Sequence, residues 1–408
     1  METDFEEINS SSHENSTDIL IKEPSIEIRT AGAHKGVGIF AFKDFCEGDV
    51  IFEEEPIVAA QFYWNEKYGY LACHHCLRPM ESTVENIKRL SNNENIVLSH
   101  PNLCPTDKSK HVYCDCGVGF CSTSCKELSW EQYHKCLCTL RNPSLNKLLK
   151  SWSGFHYPPE TSSIMLLLKM IAIIELSSNY DEAVSTFLKF QHNYVNEDEN
   201  MLMKFLGSEY AENFRIVHSL LHEVFPCKFV KEFVTEDGLR KLFALIGRNG
   251  QGIGTSVYSE WVKKVEKLDL NEEEKSKMDI FINKVYDAMN EHVGTFLNCE
   301  GSGLYKMQKN INHSCNPNAT VTFPHSNFTL SLIASKNIKA GEEICVSYLD
   351  ECNLFRSRHS RRVILRNHYL FECHCEKCTE QAGDPDVTSE EESSNEDESI
   401  SEDEAMES

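Results

Sequence analysis

The order of apolar and polar positions separates strand-like from helical parts of the chain. Residues 26–56 alternate apolar and polar side chains between glycine-rich turns, as short antiparallel strands do. From about 160 to 295 the period is helical: YPPETSS offers start signals, and NEEEKSKMDIFINKVYDAMNEHV is an amphipathic helix. Strand-like segments return at 303–349. Because β-type segments flank the middle of the chain, we predict one β domain that is split by two insertions.

The longest apolar stretch is IMLLLKMIAIIEL at 164–176, and Lys169 interrupts it. A membrane-spanning helix needs about 20 apolar residues, so this stretch predicts a buried helix and no membrane attachment. A basic helix is predicted at 356–368, where RSRHSRRVILR contains five arginines. Its default role is a solvent-exposed face paired with acidic surface groups, and binding of the acidic C-terminal tail or an acidic partner is the alternative.

The composition is that of a globular protein, with 408 residues of which 40 % are hydrophobic. This length suffices for two or three domains and a sizeable core. The formal net charge is −24, and both ends are acidic. At the C-terminal end, no Lys or Arg follows Lys377. We expect residues 1–24 and 381–408 to be disordered acidic arms; the second arm either attracts basic substrates or only aids solubility. The acidic charge argues against direct nucleic-acid binding and favours a basic protein or peptide as partner.

The N-terminus is acidic and lacks an apolar run, so no signal peptide is predicted. We therefore expect the protein in the cytoplasm and, as a second location, the nucleus. We also expect it to be a monomer. In these reducing compartments, 18 Cys at short spacings predict metal ligands rather than disulfides.

Four ligand pairs lie between residues 73 and 138. They are Cys73-x2-Cys76, Cys114-x-Cys116, Cys121-x3-Cys125 and His134-x3-Cys138. Zinc takes four thiolate or imidazole ligands at tetrahedral corners, so eight ligands predict two structural zinc ions. The segment is short and polar, and we expect the metals to supply much of its folding free energy.

A second cluster, FECHCEKC, contributes the three thiolates of Cys373, Cys375 and Cys378. A fourth ligand is needed. His374 is a candidate, but it lies between two ligands, so its ring would tend to point away. Cys315 in INHSCNPN at 311–318 is the better candidate, although His313 and Cys315 could instead form a catalytic dyad.

The spacings of the first cluster resemble a MYND zinc finger. In that family the first and third pairs share one zinc, and the second and fourth pairs share the other. Two features depart from the family pattern: one residue separates Cys114 from Cys116, and 37 residues follow Cys76 before the next pair. Cys104 or Cys136 could therefore replace a ligand of the second site.

Four motifs in order resemble a SET domain: HKGVGIF at 34–40, NHSCNPN at 312–318, GEEICVSYLD at 341–350 and a post-SET CHCEKC. With the finger inserted, residues 25–380 resemble the SET-and-MYND group of protein-lysine methyltransferases. The implied fold class is α+β, a β-rich SET domain with a zinc-binding post-SET segment. The implied order is SET part 25–72, MYND-type finger 73–138, helical insert 139–300, SET part 301–350 and post-SET segment 351–380.

The resemblance implies S-adenosylmethionine as cofactor, three zinc ions in all and methyl transfer to a lysine side chain in a histone tail or a basic non-histone protein. A lysine amine with its usual pKa near 10.4 must lose a proton to react, and a narrow, mostly apolar channel would favour that loss. The implied catalytic residues are Tyr348 and Tyr369, the latter in the lysine channel. The implied cofactor contacts are Gly36, Gly38, Asn249, Asn312, His313, Tyr348 and Phe371.

Simpler interpretations stand beside these roles. Tyr348 can be a packed strand residue, Tyr369 and Phe371 core aromatics on one face of an extended segment, and the glycines of KGVG a hairpin turn. In the SET-and-MYND group an aromatic residue usually follows the Asn that corresponds to Asn249 by two positions, whereas this chain has Gln251 there. This difference affects the channel wall and the number of methyl groups transferred. The alternative function is an adaptor with an inactive SET domain, whose finger binds proline-containing peptides.

Overall fold

The computed structural model describes residues 19–22, 25–32, 35–104, 106–155, 163–190, 199–226, 233–293, 296–385 and 387. Its strands, in chain order, are β1 (Ile19–Lys22), β2 (Ile26–Thr30), β3 (Val37–Ala41), β4 (Val50–Glu54), β5 (Val58–Gln61), β6 (Val112–Tyr113), β7 (Gly119–Phe120), β8 (Gln251–Thr255), β9 (Cys299–Leu304), β10 (Asn312–His313), β11 (Ala319–Thr322), β12 (Leu330–Ala334) and β13 (Glu343–Val346).

Helices fill most of the middle of the chain. They are α1 (Tyr63–Lys67), α2 (Thr83–Leu90), α3 (Thr123–Ser129), α4 (Lys135–Leu137), α5 (Ser144–Ser153), α6 (Ile164–Leu176), α7 (Tyr180–Leu188), α8 (Glu199–Leu206), α9 (Tyr210–Val224), α10 (Glu236–Asn249), α11 (Val257–Val265), α12 (Glu272–His292), α13 (Glu351–Leu354), α14 (Arg358–Tyr369) and α15 (Glu376–Glu380). A π-helical segment, Trp130–His134, joins α3 to α4.

Strands from before and after the insertions pair with one another. The sheets have the orders β1-β2-β3-β13-β10, β11-β12-β4 and β5-β9-β8, and β6-β7 form a separate hairpin. Leu332 of β12 pairs opposite Phe52 of β4, and Ile344 of β13 opposite Ile39 of β3. The inward side chains form one apolar core, in which Ile39, Leu332 and Ile344 are fully buried. The predicted α+β fold, a β domain split by insertions, is confirmed.

The pairing of β10 with β13 brings two distant motifs together. The strands are parallel, with Asn312 opposite Cys345 and His313 opposite Val346. Residues that follow β13 in the chain, Tyr348 among them, therefore lie beside the NHSC motif. This register positions the candidate site.

Helix α6 is the buried helix predicted at 164–176. Nine of its thirteen residues are buried, including Lys169. The Lys169 Nζ donates hydrogen bonds to the carbonyl oxygens of Ala59 at 2.8 Å and His74 at 2.6 Å, so it links α6 to strand β5 and to the finger. None of the helices in the described ranges is long and apolar enough to cross a membrane.

The long gap after Cys76 is folded. Ser82 caps α2 in a capping box with Glu85, and Ile87 and Leu90 pack in a core with Trp261 of α11 and other apolar residues. The insertion that departs from the usual finger pattern thus joins the finger to the helical insert.

Two strands lie in ranges for which the sequence pattern predicted no strand. Strand β1 at Ile19–Lys22 lies within the predicted N-terminal arm, because its backbone pairs with β2. Strand β8 lies within the predicted helical insert and pairs with β9. Its glycines, Gly252 and Gly254, weaken the local strand signal, and pairing with β9 overrides that weakness. In the predicted C-terminal arm, residues 381–385 and 387 are described, and residues 386 and 388–408 lie outside the described residues.

Candidate active site and zinc clusters

The first predicted ligand set comes together around one point. The sulfur atoms of Cys73, Cys76, Cys121 and Cys125 all lie within 4.8 Å of one another. Cys121 Sγ is 3.6 Å from the sulfurs of both Cys76 and Cys125. Four thiolates at about 2.3 Å from a tetrahedral zinc ion stand about 3.8 Å apart. The donor set and its spacing fit a structural zinc ion.

The second set consists of Cys114, Cys116, His134 and Cys138. Cys114 Sγ lies 3.9 Å from Cys138 Sγ, and Cys116 Sγ lies 3.5 Å from His134 Nε2. Burial lowers the pKa of His134 to about 4, so its imidazole is neutral at pH 7 and able to bind metal. The alternatives Cys104 and Cys136 lie outside the group and pack against apolar side chains instead.

The third set, here called the post-SET cluster, consists of Cys315, Cys373, Cys375 and Cys378. Cys315 Sγ lies 4.0 Å from Cys373 Sγ and 3.6 Å from Cys378 Sγ. Cys315 is therefore the fourth thiolate, and the alternative ligand His374 is exposed.

His313 connects the post-SET cluster to Tyr348. The Tyr348 backbone N–H donates to His313 Nδ1 at 2.9 Å, so the proton of the neutral ring is on Nε2. Nε2 lies 3.3 Å from Cys315 Sγ. Burial lowers the pKa of His313 to about 4. A neutral donor that orients a thiolate ligand fits this geometry better than the base of a catalytic dyad does.

The basic helix α14 also serves the post-SET cluster. Arg361 is fully buried, and its Nη2 lies 3.7 Å from Cys378 Sγ. Arg358 Nε donates to the Cys378 carbonyl oxygen at 2.9 Å, and Arg362 and Arg366 both pair with Glu372. The expectation of a solvent-exposed basic face is thus wrong for Arg361. The sequence contains a sign of this burial, because Arg361 stands four positions before the apolar and buried Leu365, on the same helix face.

A cleft of about 730 Å³ lies beside this cluster, within the size range of cofactor pockets. The predicted site residues that line it are Gly36, Asn249, Asn312, His313, Tyr348, Tyr369 and Phe371. Three lysines that the sequence analysis did not select, Lys35, Lys189 and Lys309, line it as well. An aromatic ring for an adenine and ammonium groups for a carboxylate fit S-adenosylmethionine, and these roles remain predictions.

Gly36 and Gly38 serve different purposes. Gly36 lines the cleft in the left-handed region, with φ +68°, which only glycine adopts without strain. Gly38 is not a lining residue. A Cβ on Gly38 would lie 2.9 Å from the Ala31 side chain and 3.0 Å from Asn312 Nδ2, so Gly38 allows Asn312 to approach β3. Asn312 Nδ2 then donates to Val37 O at 3.1 Å and to Glu343 Oε1 at 2.8 Å.

The rings of Tyr348 and Tyr369 contact each other in a tilted arrangement, with centroids 4.9 Å apart. The Tyr348 hydroxyl donates to Ile311 O at 2.6 Å, and the Tyr369 hydroxyl to Tyr348 O at 3.3 Å. Burial raises the pKa of both phenols, so they are protonated at neutral pH. The predicted extended segment is wrong: Tyr369 ends α14, and Leu370, at φ +59°, turns the chain so that Phe371 also faces the cleft.

A second cavity, of about 210 Å³, meets the cleft at the two tyrosines. Arg248, Asn249, Lys309, Tyr348 and Tyr369 line both. Its other lining residues are Gly250, Gln251, Gly252, Gln308, Val346 and Ser347. The walls of this cavity are largely polar, unlike the mostly apolar lysine channel that the resemblance implies. The sequence placed Gln251 near this wall; no sequence signal pointed to Gln308.

A cofactor-sized cleft that meets a small side-chain cavity is compatible with a SET-type methyltransferase. The family model for the SET domain matches residues 36–349. The chain belongs to the SET domain family.

The relatives specify the activity further. The chain is 45 % identical over 372 residues to "Protein-lysine N-trimethyltransferase SMYD5" of Gallus gallus, which covers 90 % of this chain and 89 % of the relative. It is also 45 % identical over 375 residues to the Homo sapiens protein of that name, with the same two shares. "Histone-lysine N-methyltransferase SMYD3" of Mus musculus is 40 % identical over 94 residues, which is 22 % of this chain and 20 % of the relative. The prediction of a SET-and-MYND protein-lysine N-methyltransferase that uses S-adenosylmethionine is confirmed.

Proposed function

We propose that this methyltransferase adds up to three methyl groups to one lysine of a basic protein or peptide, with three structural zinc ions supporting the fold. Trimethylation is supported by the chicken and human relatives, which are both named protein-lysine N-trimethyltransferases. Three four-membered Cys and Cys/His groups within the described residues support the zinc count.

The observation that carries this function is the meeting of the cleft and the small cavity at Tyr348 and Tyr369. A bound S-adenosylmethionine supplies an electrophilic methyl group on a sulfonium sulfur. The chain's part is to hold the lysine amine in line with that group, and alignment of this kind removes much of an activation barrier. A protonated Tyr348, fixed by its bond to Ile311 O, orients the amine through its hydroxyl oxygen and does not act as a base.

The target amine must also lose its proton. Arg248 and Lys309 line both cavities, and nearby positive charges disfavour an additional ammonium group. Burial in the small cavity acts in the same direction. Repulsion by these cations therefore lowers the pKa of the target amine, the effect expected above from apolar walls.

The formal charge of −24 favours a basic substrate and argues against direct binding of nucleic acid. We also propose that the protein acts as a monomer in the cytoplasm and, as a second location, the nucleus. Size-exclusion chromatography with light scattering and imaging of the tagged full-length protein test these two points.

The test is transfer of labelled methyl from S-adenosylmethionine to a basic protein extract. The expected result is labelled methyl-lysine with the wild-type protein and strongly reduced labelling with Tyr348→Phe at unchanged zinc content. Cofactor binding without transfer to any protein of the extract would instead support the adaptor function, in which the SET domain is inactive.

A further inference from the structure

Two amide side chains form a wall of the small cavity. Gln251 comes from β8, and Gln308 from the 3₁₀ turn Gln308–Asn310. Gln308 Nε2 donates to Gln251 Oε1 at 2.8 Å, and Gln251 Nε2 donates to the Gly252 carbonyl oxygen at 3.0 Å. The Gln308 backbone N–H donates to Glu54 Oε2 at 3.1 Å, which holds the turn against β4.

The Gly252 carbonyl, at the end of this series of hydrogen bonds, fixes which group donates in each of them. A backbone carbonyl accepts hydrogen bonds but cannot donate, so Gln251 must turn its NH₂ group toward Gly252 and its oxygen toward Gln308. Gln308 must then present its own NH₂ group to Gln251. The oxygen of Gln308 is left as the last acceptor. Gln308 is 9 % exposed, and within the described ranges its Oε1 is buried without a hydrogen-bond partner.

A buried amide oxygen without a donor destabilises the protein, and such groups are rare in folded proteins. On the proposed function, the molecule that enters this cavity is a lysine side chain, whose nitrogen carries N–H donors. We propose that the Gln308 side chain turns toward the small cavity when a lysine enters, so that Oε1 accepts a hydrogen bond from the target amine and thereby favours the methyl transfers in which that amine still has an N–H group.

The number of N–H groups falls with each transfer. The amine lone pair forms the new N–C bond while the C–S bond of the sulfonium breaks and its electron pair stays on sulfur. One ammonium proton is lost to solvent for each methyl added. The reacting neutral amine therefore has two N–H groups in the first transfer, one in the second and none in the third. Gln308 can hold the nitrogen only in the first two, so it acts as a specificity-determining residue.

The test uses a basic peptide that the wild-type protein methylates in the labelling experiment, prepared with an unmodified, monomethylated, dimethylated or trimethylated target lysine. Single-turnover rates are measured for the first three forms. Affinity for all four is measured with S-adenosylhomocysteine bound. Gln308→Leu keeps similar bulk without an acceptor, and the exposed Gln132→Leu is the matched control.

Gln308→Leu should slow the first and second transfers roughly tenfold, as loss of a hydrogen bond to a charged or polar amine does, and change the third by less than about twofold. Affinity for the monomethylated peptide should fall by a similar factor, with affinity for the trimethylated peptide unchanged. Gln308→Glu keeps an acceptor and should retain the preference. Gln251→Leu is the second variant, for use if Gln308→Leu does not fold. It frees the Gln308 amide to turn and should weaken the preference for the first two transfers.

Equal losses on all peptides would show a purely structural role and overturn the inference, as would unchanged rates and affinities. A labelling experiment that yields no methylated peptide would instead count against the proposed function, and the four lysine forms are then placed in a basic peptide of arbitrary sequence. In that case the affinities alone decide the role of Gln308.

Discussion

Replacement of Arg361 by methionine removes a buried positive charge from the post-SET cluster while keeping an unbranched, apolar side chain of similar length. In the structure its guanidinium has three partners: Cys378 Sγ at 3.7 Å, Gln381 Oε1 at 2.7 Å and the Arg356 carbonyl oxygen at 2.5 Å. We expect weaker zinc binding by Cys315, Cys373, Cys375 and Cys378.

The magnitude follows from charge. Zinc with four thiolates carries a net charge of about −2. Two unit charges about 4 Å apart attract by about 4 kcal/mol at an effective dielectric constant of 20, before the cost of burying the guanidinium is subtracted. A hydrogen bond to a charged group contributes about 1.5–3 kcal/mol net. A loss of about 2 kcal/mol corresponds to roughly thirtyfold in zinc affinity, within the range that outer partners of metal ligands show.

The assay is competition for zinc with a coloured chelator. The Cys315→Ser variant, which lacks this site, identifies the ion that belongs to the cluster. Arg366→Met is the control on the same helix, because the Arg366 side chain is 56 % exposed and its pair with Glu372 contributes less than about 1 kcal/mol. Wild-type zinc affinity in Arg361→Met, or an equal loss in both variants, would refute the electrostatic role.

Two further changes test the scaffold. Cys315→Ser should reduce zinc from three ions to two per chain by elemental analysis and weaken cofactor binding, because His313 loses the thiolate that it contacts; unchanged stoichiometry contradicts the shared ligand. Lys169→Met should lower the thermal midpoint by several degrees, because the buried carbonyl oxygens of Ala59 and His74 lose their hydrogen-bond donor. The exposed Lys147→Met is its control and should change the midpoint little; a similar shift in both would exclude the buried role.

Ligand spacing predicted the metal groups well because tetrahedral coordination restricts which thiolates can share an ion. The pairs around Cys73 and Cys121 need only short local turns, so the sequence carries their geometry. Cys315 was found by a different route: three clustered thiolates required a fourth. The strand pairing of β10 with β13 then places Cys315 near them, as long-range contacts do that no local pattern encodes.

Other features depend on tertiary context. Gln251–Thr255 forms a strand despite two glycines because β9 offers hydrogen-bond partners on one side. Leu370 adopts a left-handed conformation that is unusual for leucine, so no propensity predicts the turn that directs Phe371 to the cleft. Gln308 acquires its unpaired oxygen only through Gln251, 57 residues earlier in the chain.

We propose that lysine is methylated where the two cavities meet, at Tyr348 and Tyr369. The most direct measurement is mass spectrometry of a basic protein extract after incubation with heavy-methyl S-adenosylmethionine and either wild-type protein or Tyr348→Phe. We expect heavy-methyl lysine at a small number of sites with the wild-type protein, at a level strongly reduced with the variant. No heavy-methyl lysine with the wild-type protein, or equal levels with both, would contradict it.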